Sequence, residues 1–155
     1  MLSPLGPVSL TGTDAGLAAV TFLEEAVAAT PAAHVPDCLR EARQQLAAYF
    51  GRELRAFRLT YDVARGTDFQ RQVWAALRDV DYGHTASYLE VARQLGNPGA
   101  VRAVGAANGQ NPLGVVWPCH RIIGANGTLT GYAGGLWRKQ WLLAFEQPAQ
   151  QAELF

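Results

Sequence analysis

The hydrophobic pattern changes period at Gly66-Thr67, and this break constrains the fold more than any other feature of the chain. Upstream of it apolar residues keep strand-like company. Val8, Leu10, Leu17, Val20 and Phe22 flank the Gly12-Thr13-Asp14-Ala15-Gly16 cluster, and Phe57, Leu59 and Tyr61 alternate with Arg58, Thr60 and Asp62. Alternation places every second side chain on one face, so a hairpin and a third strand returning to it are expected. Between them Leu39, Ala42, Leu46 and Phe50 recur at helical spacing, with Pro36 or Asp37 near the start and Gly51 just past the end. A helix is predicted there. Downstream, Thr67 is a suitable cap for a helix whose one face carries Phe69, Val73, Trp74 and Leu77. The expected class is α+β: a small antiparallel sheet plus helix over 1–64, a mainly helical domain over 65–146, and a flexible tail over 147–155.

Size and composition narrow the function classes. At 155 residues, 49% hydrophobic and 17% charged, the chain suits one compact unit or two small subdomains. Folding at this size hides roughly 68–70% of the unfolded surface, so no disulfide or structural metal is needed. Cys38 and Cys119 cannot build a disulfide framework, and Cys38 with His34 is too small a set for zinc, so no metal and no cofactor are expected. The start MLSPLGPVSL lacks the layout of a secretory signal, and no apolar run spans a bilayer, which points to the cytoplasm and to reduced thiols. Net charge is zero, but unevenly spread: 1–64 hold five arginines against seven acids, whereas 65–146 hold seven arginines and Lys139 against five acids. Phosphate contacts would belong to the second half and weaken with salt; an uneven solvated surface is the plainer alternative.

Within that half, Ser87-Tyr88-Leu89-Glu90 has the spacing of a capping box and opens a short helix that closes at Gly96. Asn97 as N-cap and Pro98 at the first position then start a second helix running through Val101, Val104 and Ala107 to Asn108-Gly109. Two short helices and a tight turn have the outline of a helix-turn-helix, although such hairpins are also common structural units. The second helix adds a face of small residues, Gly99, Ala100, Ala103, Gly105 and Ala106, interrupted by Arg102, able to approach a nucleic-acid groove closely.

The densest chemical signal is Asn111-Pro112-Leu113-Gly114-Val115-Val116-Trp117-Pro118-Cys119-His120-Arg121. Cysteine reacts as thiolate, and a pKa of about 8.5 leaves little of it at neutral pH, so a reactive site needs a base or cation nearby. His120 and Arg121 are candidates, though neighbours on an extended segment point opposite ways and a water would have to close the gap. For an isolated pair the alternative is a structural cysteine beside a surface histidine.

With these residues the chain resembles the O6-alkylguanine-DNA alkyltransferase family. The resemblance runs from about Gly66 to Glu146 through Phe69-Gln70-Arg71-Gln72-Val73-Trp74, Tyr82-Gly83, Ser87-Tyr88, Gly96-Asn97-Pro98, Arg102-Ala103-Val104-Gly105, Asn111-Pro112, Pro118-Cys119-His120-Arg121, Gly131-Tyr132, Gly134-Gly135 and Lys139 onward. Ser3-Pro4-Leu5-Gly6-Pro7 and Leu46-Ala47-Ala48-Tyr49-Phe50 match more loosely a shortened ribonuclease H-like N-terminal domain.

The resemblance implies a winged helix-turn-helix and a repair reaction that occurs once per molecule. Cys119 would take the alkyl group from guanine O6, and possible O4-alkylthymine, as a stable thioether. His120 would accept the thiol proton through a water, Glu146 would orient the imidazole, and Asn111 would brace the turn. Tyr88 would donate to guanine N3, and Lys139 would assist electrostatically unless it is a solvated helix-face lysine. Access requires base flipping, with Arg102 filling the vacated stack, or alternatively making a plain phosphate contact, and Ala103 and Arg121 also at the DNA. Carbonyls of Cys119 and Ile122 would read the exocyclic amine, with Tyr132 against the alkyl group. Ala133 stands where many members carry Ser, so a hydroxyl donor to O6 is missing; Trp117 adds bulk beside the nucleophile or belongs to the core.

The partner implied is double-stranded DNA carrying O6-alkylguanine, bound by a monomer. Gln151-Ala152-Glu153-Leu154-Phe155 also resembles short peptides that dock on bacterial replication sliding clamps, with Leu154 and Phe155 as anchors, against the alternative of a frayed terminus. The competing function is a lesion-sensing DNA-binding module without efficient transfer. A Cys-His hydrolase would need an oxyanion hole, and no Gly-rich donor motif lies near Cys119.

Overall fold

The computed structural model describes residues 1–147; Gln151, Leu154 and Phe155 of the clamp-like tail lie outside the described residues. The chain forms two compact units. One is Met1–Arg65 with Pro112–Val116; the other is Gly66–Asn111 with the chain from Trp117 onward. No described helix is long and apolar enough to cross a membrane.

In the first unit, β1 (Leu2–Ser3), β2 (Gly6–Thr13) and β3 (Gly16–Phe22) form an antiparallel sheet in that order. The hairpin pairs Leu10 with Val20 and Thr13 with Gly16. Val8, Leu17 and Val20 are buried, and α1 (Asp37–Phe50) packs on β2 and β3 through Ala42, Leu46 and Tyr49. That spacing of four and three residues is the inward stripe of a surface helix. Gly12 lets the layers close, because a Cβ there would sit 3.0 Å from a Leu39 methyl and 2.8 Å from the Gly16 carbonyl.

The third strand expected over Phe57–Tyr61 does not form. Only Leu17 pairs with it, in a parallel bridge to Tyr61: the Leu17 N–H donates to Thr60 O and the Asp62 N–H to Leu17 O. Two competitors explain this. The Gln45 side chain takes both backbone groups of Arg58, and further along β3 Val20 is bonded to Pro112 and Gly114 instead. A sheet edge is thus shared by two separate segments, neither of which reaches strand length.

The second unit is built from helices. Thr67 and Gln70 complete a reciprocal capping box, with Gln70 N–H to Thr67 Oγ1 at 3.1 Å and Thr67 N–H to Gln70 Oε1 at 2.9 Å, at the start of α2 (Asp68–Leu77). Ser87 accepts the Glu90 N–H and opens α3 (Tyr88–Gln94). Between α3 and α4 (Val101–Gly109) the chain differs from expectation: Pro98–Ala100 is a separate 3₁₀ turn, and the Asn97 side chain makes no capping bond. Trp74 ties α2 to α4 by donating its Nε1–H to Ala107 O at 2.8 Å. A short parallel ribbon, β4 (Ala86–Ser87) with β5 (Ile122–Ile123), sets the start of α3 beside the Cys119 turn. The last helix, α5 (Leu136–Phe145), packs on that turn.

Candidate active site

Pro118 prepares the nucleophile. Its φ of −81° and ψ of 65° make an inverse γ-turn, closed by the Cys119 N–H donating to Trp117 O at 2.8 Å. The Asn111 side chain donates to the same carbonyl at 2.7 Å, so the turn is clamped from two sides. A 3₁₀ turn over Cys119–Arg121 follows, with the Ile122 N–H on Cys119 O. In this tight turn Cys119, His120 and Arg121 are all buried.

The proton chemistry is set behind the thiol. Glu146, 1% exposed, receives Arg121 Nε on Oε1 at 2.8 Å and Arg121 Nη2 on Oε2 at 3.0 Å, with His120 Nε2 also on Oε2 at 2.9 Å. Burial alone would raise this carboxyl, but hydrogen bonds and charge from His120 and Arg121 outweigh it and bring it to about 2. An ionised carboxylate only accepts, so His120 donates from Nε2 and keeps its lone pair on Nδ1. Burial holds the His120 pKa down, so the imidazole is neutral at pH 7 and brings charge to Glu146 only in acid, and its Nδ1 is buried with no hydrogen-bond partner among the described residues. Burial likewise raises Cys119, partly offset by Asn111, Lys139 and the backbone of its own turn. The resting group is therefore a thiol, and attack requires a base.

A second cluster centres on Lys139. Lys139 is wholly buried and donates to Ile122 O at 2.6 Å, Thr130 O at 2.9 Å and Tyr88 Oη at 3.4 Å. Thr130 Oγ1 also donates to Tyr88 Oη at 3.0 Å, which leaves the tyrosine's own hydrogen to be given elsewhere. The Tyr132 hydroxyl is buried without a hydrogen-bond partner among the described residues. Burial first, then the neighbouring Cys119, lifts its pKa well above 10, with Arg138 opposing. Arg138 itself donates to Gly134 O at 2.7 Å.

This arrangement can be set beside known proteins. A family model described as 6-O-methylguanine DNA methyltransferase, DNA binding domain, matches residues 68–148, and another described as 6-O-methylguanine DNA methyltransferase, ribonuclease-like domain, matches residues 1–63. A relative named methylated-DNA--protein-cysteine methyltransferase, from Mycolicibacterium paratuberculosis, is 48% identical over 154 residues, covering 98% of this chain and 93% of its own. The chain belongs to this family. A protein of the same name from Methanosarcina acetivorans is 46% identical over 151 residues, covering 93% of this chain and 94% of its own. The crystal structure of Mycobacterium tuberculosis OGT in complex with DNA matches with a TM-score of 0.84 at 47% identity, over 97% of this chain and 94% of that one.

Within the family frame, Cys119, His120, Glu146 and Asn111 come together, as do Tyr88, Lys139 and Ile122. Lys139 is not a solvated lysine. Arg121 is not at an outer surface: it is buried on Glu146, with Nη1 on Val80 O at 2.7 Å and its guanidinium 5.8 Å from the Tyr82 ring centre. Trp117 is buried against Trp74, ring centres 5.9 Å apart. Arg102 and Ala103 are exposed on α4, and Ala133 is exposed beside half-buried Tyr132. Sequence reasoning missed Thr130 and Asn108. Asn108 carried a signal, being a polar residue in the apolar row Val104, Ala107, Asn108; Thr130 carried none.

Proposed function

We infer that this protein reverses O6-alkylguanine damage in DNA by moving the alkyl group onto its own Cys119. The observation that carries the reading is the buried thiol turn backed by a neutral His120 whose Nε2–H is committed to ionised Glu146. In the proposed step Cys119 Sγ forms a bond to the alkyl carbon as the bond from that carbon to guanine O6 breaks. The thiol proton passes to His120 Nδ1 through a water, and Tyr88 donates to N3 of the departing base. The products are a thioether and unmodified guanine. Regenerating the thiol would require a second acceptor to displace sulfur, a poor leaving group that the site does not activate, from the alkyl carbon, so each molecule acts once.

For binding, we place double-stranded DNA against the exposed face of α4, with Arg102 filling the gap left by the extruded nucleotide and Ala103 allowing close approach. Arg121 is left out of this surface and assigned to holding Glu146. Residues 1–64 act as the shortened ribonuclease H-like domain and 65–146 as the transferase domain. The protein works as a cytoplasmic monomer, and contact with a sliding clamp through Gln151, Leu154 and Phe155 is a separate expectation, checked by pull-down with and without the last two residues.

Intact-mass and peptide analysis after incubation with duplex DNA bearing one O6-methylguanine tests the reading. One methyl group on the Cys119 peptide, saturating at one equivalent and lost in Cys119→Ser, is expected. An unmodified protein that still retards the lesion-bearing duplex would make it a lesion-sensing module instead.

A further inference from the structure

Tyr88 opens α3 immediately after its Ser87 cap, and its ring packs on α4, where a Cβ at Gly105 would lie 3.8 Å from its Cδ1. The hydroxyl of that ring meets donors from two other segments. Lys139 on α5 reaches Oη at 3.4 Å, and Thr130, in the chain between β5 and α5, places Oγ1 at 3.0 Å. The ammonium is largely taken up already, by Ile122 O at 2.6 Å and Thr130 O at 2.9 Å. Its third contact is long for a hydrogen bond, so Lys139 acts on Oη chiefly as charge and Thr130 supplies the close donor.

A phenol has one hydrogen to give. Two hydroxyls 3.0 Å apart can bond in either sense, and the arrival of an acceptor at Tyr88 decides between them. Once the Tyr88 hydrogen lies on a base, only Thr130 can donate along the contact they share. Thr130 is fixed for that task at both ends, its carbonyl under the Lys139 ammonium and its Oγ1 on Oη.

We propose that Thr130 is a positioning residue for the departing base: its hydroxyl donates to Tyr88 Oη and so directs the tyrosine's hydrogen onto guanine N3. The proposal rests on the alkyl-transfer reading above. As the bond from the alkyl carbon to O6 breaks, negative charge spreads over the base and the hydrogen bond from Tyr88 to N3 strengthens. The electron density drawn onto Oη is met by the Thr130 hydrogen and the Lys139 charge. Hydrogen bonds in such a chain polarise one another, so the outer donor strengthens the inner one. Thr130 is exposed, and Thr130→Val keeps its shape and the carbonyl that Lys139 holds while removing the donor.

The test compares single-turnover rates of thioether formation on Cys119 from duplexes carrying O6-methylguanine or O6-methyl-3-deazaguanine, in which C–H replaces N3. Wild type should prefer the first by at least about tenfold, the size of one hydrogen bond to a group that takes on charge. In Thr130→Val, and likewise in Thr130→Ala, the guanine rate should fall about fivefold, the size of one neutral hydrogen bond, with the 3-deaza rate unchanged. Thr130→Ser should restore the guanine rate. In a Tyr88→Phe background, where Thr130 has no hydroxyl to direct, adding Thr130→Val should slow neither substrate further. Equal slowing of both substrates by Thr130→Val and Thr130→Ala would reduce Thr130 to a brace for its segment and overturn the proposal. So would a guanine rate that both variants leave at the wild-type value. Equal wild-type rates on the two duplexes would remove the N3 contact itself, and the proposal with it. Absence of methyl transfer from either duplex in wild type is a different failure, that of the alkyl-transfer reading, and it too removes the proposal.

Discussion

Glu146 holds two buried cationic or hydrogen-bonding partners at once, and its removal therefore reaches both proton transfer and stability. In Glu146→Gln the Arg121 guanidinium stays buried without a counter-charge, a loss of about 3–5 kcal/mol for a broken buried pair. The imidazole also loses its charged acceptor, since the one amide oxygen left must serve Arg121 or His120 and the NH2 can only donate, so transfer from O6-methylguanine should slow at least about tenfold. Acid titration separates the two effects. The Glu146 carboxyl lies at about 2 in the folded protein against 4.5 when free, a depressed acid whose contribution is complete above 4.5 and lost as pH falls towards 2. That shift corresponds to about 3 kcal/mol. His120 adds to it with the same sign: its folded pKa lies below 6.5, so the unfolded chain takes up a proton first and stability starts to decline below that pH. Urea unfolding at pH 7, 5 and 3 should show wild type weakening throughout, and Glu146→Gln weakening far less between 5 and 3. An unchanged pH profile in the variant would contradict the ion-pair assignment. Arg121 was misread from sequence for a related reason: adjacency in Pro118-Cys119-His120-Arg121 says nothing about which side chains a 3₁₀ turn sends inward.

At the scale of elements, what was legible was what local chemistry decides. The cap residues Thr67 and Ser87 are where expected, because a hydroxyl before an apolar helical run has one good use for its oxygen. Thr67→Ala should cost about 1 kcal/mol through loss of that cap, read as a fall of about 2–4 °C in the melting temperature. Gly66→Ala should cost more. At φ 115° a side chain is strained, and its Cβ would lie 2.5 Å from the Trp74 ring, which is pinned from its far side by the bond to Ala107 O. A melting temperature as high as that of Thr67→Ala would count against this packing. What was not legible depends on partners distant in sequence. Nothing in Phe57–Tyr61 announces that Gln45 will take its backbone groups or that Pro112–Gly114 will occupy Val20. The β4–β5 ribbon escaped for the same reason, as its two-residue strands are too short to leave a periodic trace.

Across the whole molecule charge and burial divide the work. The chain is neutral, yet 65–146 carry an excess of three positive charges, and three of the cations there, Arg121, Arg138 and Lys139, are buried and taken up by contacts within the protein. Binding to undamaged duplex therefore draws on a small number of exposed arginines and should be weak, with a shallow dependence on salt; a slope of about −0.9 per phosphate neutralised makes that number measurable. Arg102 is exposed on α4, where the neighbouring Ala103 and Ala106 leave it the one long side chain on its face. If it fills the vacated stack, Arg102→Ala should slow transfer from duplex DNA at least about tenfold more than transfer from the free base O6-benzylguanine, which has no stack to leave. If it is only a phosphate contact, the variant should lower the salt slope by about one and leave the rate at saturating DNA close to wild type. Saturating and subsaturating rates on the duplex, measured beside the free base, decide between insertion and simple neutralisation.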